Sequence, residues 1–473
     1  ASKEASMAVI PGGRRSLSRG LAALAFTAVG AVAVVCAART GAPAIPVSGR
    51  AGPTPRSAVL FIGDGMGQAY VTVTRVARGG SGGRLRMDTL PYTALCRTHS
   101  SDSPVTDSAA AASAMACGQK TANGVLCEDA TAIYAKRDGR KLESIAVWAK
   151  KNGMHVGLVT TTTVTHATPA AFYANHRDRE AEDEIAKQTI ASGFDLILGG
   201  GRTFFAEDLR AEARRQGWEI VETADELRAI DDPGRHVLGL FAERHLPYQP
   251  EIEAGHKQTE AGKTAEGMPG TAAGGLARGG EGRDATRTAP TLPEMTRWAV
   301  DILKKSDRPF FLMVEGGRID HAGHANWART LVDETAAFDE AIGYAIDTLD
   351  PKTTLVLVTA DHETGGLAMN GYPDEKDGIW SLYRDPFGSK GDGPYPVITF
   401  SSGPGTTRQK HEPPHGPDDP RPSGIALESA AHTGVDVTLY AWGAGAEQVH
   451  GTLENTAIYS LLRGCLEGRP PAR

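Results

Sequence analysis

Short apolar runs alternate along the chain with longer amphipathic stretches. Ser57–Ile62, His155–Thr160, Phe194–Leu198, His236–Phe241, Phe310–Val314 and Thr353–Thr359 are largely apolar and rich in branched and aromatic residues. Runs of that length and composition predict strands buried on both faces. Apolar residues at helical spacing predict helices over Lys141–Lys151, Arg202–Gln216, Thr223–Ala229, Thr291–Lys305 and Trp327–Leu349, with Glu454–Leu466 closing the chain. The acidic residues of Trp327–Leu349 read as its solvated face. Ala109–Ala116 is a strong helix former stopped by Gly118, which puts Ser108 at or near that helix's N-terminus. Another strand follows His432 and reaches Trp442. Strands alternating with helices predict an α/β fold.

The pattern lapses in three places. From about Gly255 to Asp284 the chain is Gly-, Ala- and Thr-rich, which predicts a flexible surface insertion. Residues 371–425 are rich in Gly, Pro and charge around one strand-like piece, Pro396–Phe400, and read as an elaborated loop or small subdomain. At the N-terminus, Arg14, Arg15 and Arg19 precede an uncharged run, Leu21–Ala38, and the small residues Ala42-Pro43-Ala44. That is the layout of an export signal over residues 1–44, touching the membrane only in transit and delivering a periplasmic or extracellular protein. Arg14-Arg15-Ser16-Leu17 also permits a twin-arginine signal. A retained membrane anchor is the alternative, because the run is near the lower length limit for a spanning helix. A linker over 45–56, one domain over 57–466 and a tail over 467–473 complete the expected organisation.

Composition narrows the partners. At 473 residues with 40% hydrophobic side chains, the chain can bury a large core. Its formal net charge is -7, and a chain starting after Ala44 would lose Lys3, Arg14, Arg15, Arg19 and Arg39 with Glu4 to reach -11. That acidity argues against nucleic acid as the main partner. Beyond Cys36 in the signal run stand Cys96, Cys117, Cys127 and Cys465, with no Cys-x-x-Cys among them, so a thiolate zinc site is disfavoured. Cys117 and Cys127, closing a short loop, are the favoured pair; buried free thiols are the alternative.

Ligand-type residues collect where the runs end. Asp64 sits in Gly63-Asp64-Gly65-Met66-Gly67, whose third glycine is off the dinucleotide fingerprint and whose aspartate would repel a pyrophosphate. A metal ligand is the better reading, with a helix-capping aspartate the plainer one. His166 and Thr168 follow a second run, Glu315, Asp320, His321 and His324 a third, and Asp361 with His362 a fourth, while His432 precedes the last strand. Asp320 and His324, four apart in a helical turn, share a face and can grip one cation. These donors are too many for one cation: mixed His and Asp sets suit zinc, and an oxygen set with Thr168 suits magnesium. Two zinc ions would clamp both oxygens of an in-line displacement, which points to phosphoryl transfer. Ser108, at a helix N-terminus that favours an alkoxide and a phosphoryl oxygen, is a candidate nucleophile or simply a cap.

These motifs resemble those of the metal-dependent alkaline phosphatases. The resemblance runs from about Val59 to Leu466 and rests on Gly63-Asp64-Gly65-Met66-Gly67, Thr106-Asp107-Ser108-Ala109-Ala110, His166-Ala167-Thr168-Pro169-Ala170, Glu315-Gly316-Gly317-Arg318-Ile319-Asp320-His321 and Ala360-Asp361-His362-Glu363-Thr364-Gly365-Gly366. It implies a three-layer α/β/α sandwich around a large, mostly parallel sheet. It also implies a broad-specificity phosphate monoester hydrolase working through a phosphoserine on two zinc ions and one magnesium. By position, Ser108 would be the nucleophile, Asp320, His324 and His432 would hold the first zinc, and Asp64, Asp361 and His362 the second. Asp64, Thr168 and Glu315 would hold magnesium. Arg179, thirteen residues after His166, would fork onto phosphate oxygens with Asp107 orienting it, and Arg177 is the neighbour it must be told from. His166 and His321 would line the phosphate pocket; they resemble the animal enzymes rather than the enteric bacterial form, which leaves open whether the third site takes magnesium or zinc. A homodimer is common in the family. The competing readings are a phosphodiesterase or sulfatase of the same superfamily, and a zinc- or phosphate-binding protein without turnover. A sulfatase needs x-Pro-x-Arg after its nucleophile, and Ser108 is followed by four alanines.

Overall fold

In the computed structural model the described residues are 56–264, 284–371, 378–383, 395–405 and 419–468. The apolar runs pair side by side because strands without a polar face must be covered on both faces. The strands are β1 (Ser57–Gly63), β2 (Tyr92–Arg97), β3 (His155–Thr163), β4 (Leu196–Gly200), β5 (Trp218–Val221), β6 (His236–Leu240), β7 (Phe310–Gly316), β8 (Thr354–Thr359), β9 (Val437–Gly443) and β10 (Thr452–Glu454). They form one sheet in the order β10-β2-β9-β8-β1-β7-β3-β4-β6-β5. Only β9 runs antiparallel to its neighbours; the other pairings are parallel. Strands β2, β5 and β10 escape the sequence pattern. They lie at or near the sheet's edges, where β2 buries only Ala94 and Cys96 and so lacks a continuous apolar run.

Seven helices matter for the site: α1 (Gln68–Gly79), α2 (Ser108–Cys117), α3 (Ile145–Lys151), α4 (Leu292–Lys304), α5 (Arg318–His324), α6 (Ala328–Thr348) and α7 (Thr456–Leu466). Side-chain parity places them on two faces. Ala58 pairs with Phe311 and Phe61 with Val314, so Phe61 and Phe311 point to opposite sides of the sheet. Phe61 meets Phe338 of α6 edge-on, while Phe311 stacks on Phe172, beyond the short turn Ala167–Ala170. The result is a sheet sandwiched between two helical layers, the α/β/α architecture expected. Helix α4 starts at a full capping box, Thr291 with Glu294, and Pro293 occupies its first turn.

Two expectations need correction. Residues 255–264 belong to a helix, Gln249–Thr264, rather than to a flexible insertion. Ile252 is buried, and a side chain on Gly255 would strike the Thr286 carbonyl at 2.2 Å, so this glycine permits close packing rather than freedom; residues 265–283 lie outside the described residues. The acidic stripe of α6 is not wholly solvated, because Glu334 and Asp339 are buried. Asp339 accepts the backbone N–H groups of Arg86 and Met87 at 2.7 and 2.9 Å, and Glu334 accepts that of Gln249. Burial pushes the Glu334 carboxyl up to about 7. Within 371–425, Ile398–Gly403 pairs with Ala368–Met369 and Ser423–Ala426 as a small three-stranded sheet.

A polar chain sits at the amino end of β3. Asp195 Oδ1 lies 2.8 Å from His155 Nδ1, and His155 Nε2 lies 2.9 Å from Ser306 Oγ. The order is that of a hydrolytic triad, but the adjoining cavity is about 10 Å³, room for one water. Its role is structural: Asp195 also pairs with Lys150 at 2.7 Å and accepts the Val156 N–H at 2.8 Å. Burial raises the Asp195 carboxyl, but those partners outweigh it and hold the group down at about 2. A depressed carboxyl stabilises the fold above the unfolded value near 4 and loses that contribution as pH falls towards 2. Replacing Asp195 with Asn should therefore cost about 2 kcal/mol at pH 7 and nearly nothing near pH 2. Denaturant melts of both proteins across that range check this, and a pH-independent difference would contradict it.

Candidate active site

Strands β8, β1, β7 and β3 are consecutive in the sheet, and their carboxyl ends deliver most of the ligand-type residues to one place. Asp64 follows β1, Glu315 is the penultimate residue of β7, and Asp361 with His362 follows β8. His166 and Thr168 come just after β3, the latter in the turn Ala167–Ala170. Helix α5 begins two residues beyond β7, which carries Asp320 and His324 over the same edge. A two-residue ribbon pairs His432 with Thr364 and brings the last histidine in. Gly65 makes the crowding possible: its φ is +67°, and a side chain there would meet Asp320 Oδ1 at 2.7 Å.

Three groups of donors result, each with its ligand atoms within 4.8 Å of one another: Asp320, His324 and His432; Asp64, Asp361 and His362; and Asp64, His166 and Glu315. The first group is set by the backbone. His324 Nδ1 lies 2.6 Å from the Ala430 carbonyl and His432 Nδ1 lies 3.0 Å from that of Thr106, so each ring donates there. Both Nε2 lone pairs then face inward, 3.2 Å apart, with Asp320 Oδ2 3.2 Å from that of His324. In the second group, Asp361 Oδ1 accepts the N–H groups of Gly65 and His362, leaving Oδ2 directed inward. His362 Nε2 lies 3.2 Å from Asp361 Oδ2, 3.5 Å from Asp64 Oδ1 and 3.2 Å from Ser108 Oγ. In the third, Thr160 and Thr162 donate to one Glu315 oxygen.

The other Glu315 oxygen, both oxygens of Asp64 and Asp361 Oδ2 are buried without hydrogen-bond partners. Burial, then the neighbouring Asp361, Asp320 and Glu315, push Asp64 well above the usual carboxyl range. Burial likewise raises Glu315 and Asp361. Burial would raise Asp320 too, but His324, His432 and His362 hold it below its ordinary value. Orphaned carboxylate oxygens and facing imidazole lone pairs are a poor arrangement for a protein alone and a good one for cations. The donor chemistry therefore fits bound metal ions.

Ser108 begins α2, and Asp107 caps that helix by accepting the Ala110 N–H at 3.0 Å through Oδ1. Its other oxygen accepts Arg179 Nη1 at 3.0 Å. Arg179 Nη2 lies 3.1 Å from His166 Nε2, and burial followed by the Arg179 charge keeps that ring neutral. Arg177 turns away to pair with Asp138 at 2.8 Å. His321 sits 5.9 Å from the His166 ring and is lowered to about 4, mainly by burial. Sequence reasoning missed His245, whose ring lies 4.5 Å from that of His321 and 5.7 Å from that of His166. It follows β6 as Asp64, His166 and Asp361 follow their strands, so the same strand-end signal was there to find it. Arg318 was also missed; it holds His321 Nδ1 at 2.8 Å and lies over the Tyr248 ring.

The alkaline phosphatase family model matches residues 56–467. This chain belongs to the alkaline phosphatase family. The membrane-bound alkaline phosphatase of Bombyx mori is 30% identical, over 89% of this chain and 81% of its own. The tissue-nonspecific isozyme of Rattus norvegicus is 31% identical, over 86% and 83%. Among solved structures, alkaline phosphatase from the Antarctic bacterium TAB5 has a TM-score of 0.64 at 27% identity, covering 88% of this chain and 99% of that one. The Thermus thermophilus alkaline phosphatase has a TM-score of 0.64 at 28% identity, covering 88% and 92%. The family supports phosphatase activity and metal dependence, and the three donor groups are where this member of it gathers side chains that could hold metal ions.

Because four buried oxygens of Asp64, Glu315 and Asp361 lack hydrogen-bond partners, zinc should raise the Tm of metal-stripped protein by several degrees. His324→Ala should lose about one zinc equivalent, whereas His321→Lys should keep its zinc and change phosphate affinity. Metal analysis after equilibrium dialysis decides this, and equal zinc loss in both variants would refute the division of roles.

Proposed function

We propose that the protein is a broad-specificity phosphate monoester hydrolase that works through a phosphoserine at Ser108. The observation that carries this reading is Ser108 Oγ, 3.2 Å from His362 Nε2 of the second donor group, at the start of a helix capped by Asp107, which also holds Arg179. Asp320, His324 and His432 would hold one zinc ion, Asp64, Asp361 and His362 a second, and Asp64, Thr168 and Glu315 magnesium. When bound, these cations supply charge stabilisation to the serine oxygen and to the departing oxygen of an in-line displacement. Substrate phosphate is clamped by the Arg179 fork, which Asp107 holds in plane. Ser108 attacks phosphorus at the N-terminus of α2, where free N–H groups favour the developing charge. The alcohol leaves, water then releases inorganic phosphate, and Ser108 is restored.

His166 stands beside Asp64 and Glu315, so a nitrogen donor is within reach of the third position. Histidine-to-aspartate and histidine-to-glutamate variants of the TAB5 enzyme hold magnesium in their M3 site; metal analysis of His166→Asp would read the same preference here. The catalytic unit is proposed to span 57–466, and residues 1–44 to direct export to the periplasm or the outside. No helix of the described residues is long and apolar enough to cross a membrane. A homodimer is part of the proposal.

Ser108→Ala should abolish phosphoenzyme labelling and cut turnover to below about 1%, with metal content unchanged. Turnover above about 10% would remove Ser108 from the nucleophile's role. Rates on 4-nitrophenyl phosphate and its bis-ester separate monoesterase from diesterase, and a faster bis-ester would favour the latter.

A further inference from the structure

Cys117 ends α2 and Cys127 lies ten positions on, with the intervening loop folded back against the helix. Their Sγ atoms are 2.9 Å apart, closer than two unbonded sulfurs ordinarily sit, and the residues are 7% and 1% exposed. Cys127 is held from several sides. Its N–H donates to Ser113 Oγ at 2.8 Å, its carbonyl accepts Asn175 Nδ2 at 2.6 Å, and its φ of +44° is unusual for a residue with a side chain.

The loop between the two cysteines also mounts the phosphate clamp. Asn123 Oδ1 accepts the Asp107 N–H at 3.0 Å, and the Gly124 N–H donates to Asp107 Oδ2 at 2.9 Å. The Gly124 carbonyl accepts the Arg179 N–H at 2.9 Å. Asn123 Nδ2 donates to the Val105 carbonyl at 3.0 Å, tying the loop to the stretch that leads into Ser108.

We propose that Cys117 and Cys127 form a disulfide that closes this loop and fixes the backbone carrying Asp107 and Arg179. The co-reactant is an external disulfide, either glutathione disulfide or the active disulfide of a thiol oxidoreductase. One cysteine thiolate displaces one of its sulfurs, and the second cysteine displaces the other from the mixed disulfide. One external S–S bond breaks and one protein S–S bond forms; two electrons pass to the external disulfide, and two protons to its departing thiolates. Contact with Cys127, and then burial, push the Cys117 thiol well above its ordinary range. The folded protein thus offers little thiolate, and the exchange belongs to the folding chain. An exported protein would meet such an oxidant as it folds.

The test uses the full chain with its metals, folded in a glutathione redox buffer, then denatured and alkylated. Mass spectrometry should find a peptide pair joined through positions 117 and 127, with Cys96 and Cys465 alkylated. Alkylation of both Cys117 and Cys127, or a cross-link from either to Cys96 or Cys465, overturns the pairing regardless of how Ser108 or Arg179 acts. The latch half rests on the roles proposed for Asp107 and Arg179 and has its own readout. Against the cross-linked protein, the zinc-loaded Cys117→Ala/Cys127→Ala double variant should melt about 2 to 4 °C lower. Its KM for 4-nitrophenyl phosphate should rise about two- to fivefold at unchanged zinc content. If that variant does not fold, phosphine-reduced wild type replaces it. Equal Tm and KM in linked and unlinked protein would overturn the latch while leaving the monoesterase reading intact.

Discussion

Four buried carboxylates share one end of one sheet. Asp64, Glu315 and Asp361 are at most 1% exposed and Asp320 is 5% exposed. Two unit charges 4 Å apart repel by about 4 kcal/mol at an effective dielectric of 20, so such a cluster opposes folding unless cations or protons neutralise it. The elevated Asp64, Glu315 and Asp361 carboxyls are the protonation response of the chain on its own. Metal ions are the response that leaves the carboxylates ionised and useful. What keeps the group together is the parallel ladder, which pairs Ile62 with both Glu315 and Thr359 and so fixes three strand ends at one level.

Around this charge, backbone groups do the orienting. Carbonyls of Ala430 and Thr106 select the tautomers of His324 and His432, and N–H groups of Gly65 and His362 take up one oxygen of Asp361. Each of these three side chains thus spends one polar atom on a rigid partner and presents another to the centre, the usual way outer contacts fix inner ones. The proposed phosphate clamp is mounted less directly. Asp107 and Arg179 lean on a loop rather than on the sheet, so their geometry depends on how firmly that loop is held.

Buried charge elsewhere is handled by other means. Asp195 is satisfied by Lys150, His155 and the Val156 N–H, and Asp339 by two backbone N–H groups. These acids have full sets of partners inside the protein and need no ion. The contrast with Asp64, whose two oxygens have none, separates a site suited to cations from a structural network more sharply than residue type does.

Much of this was written in the sequence. The central strands β1, β3, β7 and β8 are buried on both faces and so must be continuous apolar runs, and the ligand-type residues after them are legible because nothing else in a strand's end requires His and Asp together. Gly118 at φ +69° likewise follows from local chemistry, whereas the cap of that helix is Asp107 rather than Ser108, the residue offered as a cap from the sequence. Strands β2, β5 and β10, at or next to the sheet's edges, were not legible, since partial burial leaves a weak pattern. Neither was the helix through Gly255, where a glycine-rich composition concealed a packing contact, nor the burial of Glu334 and Asp339, whose partners lie far along the chain. The division of eight donors into groups, the approach of His245 to His321, and the meeting of the Cys117 and Cys127 sulfurs were settled only in three dimensions. Sequence spacing fixes which residues a strand end or helical turn can offer; which of them meet depends on strand order, and that is decided by the packing of the whole sheet.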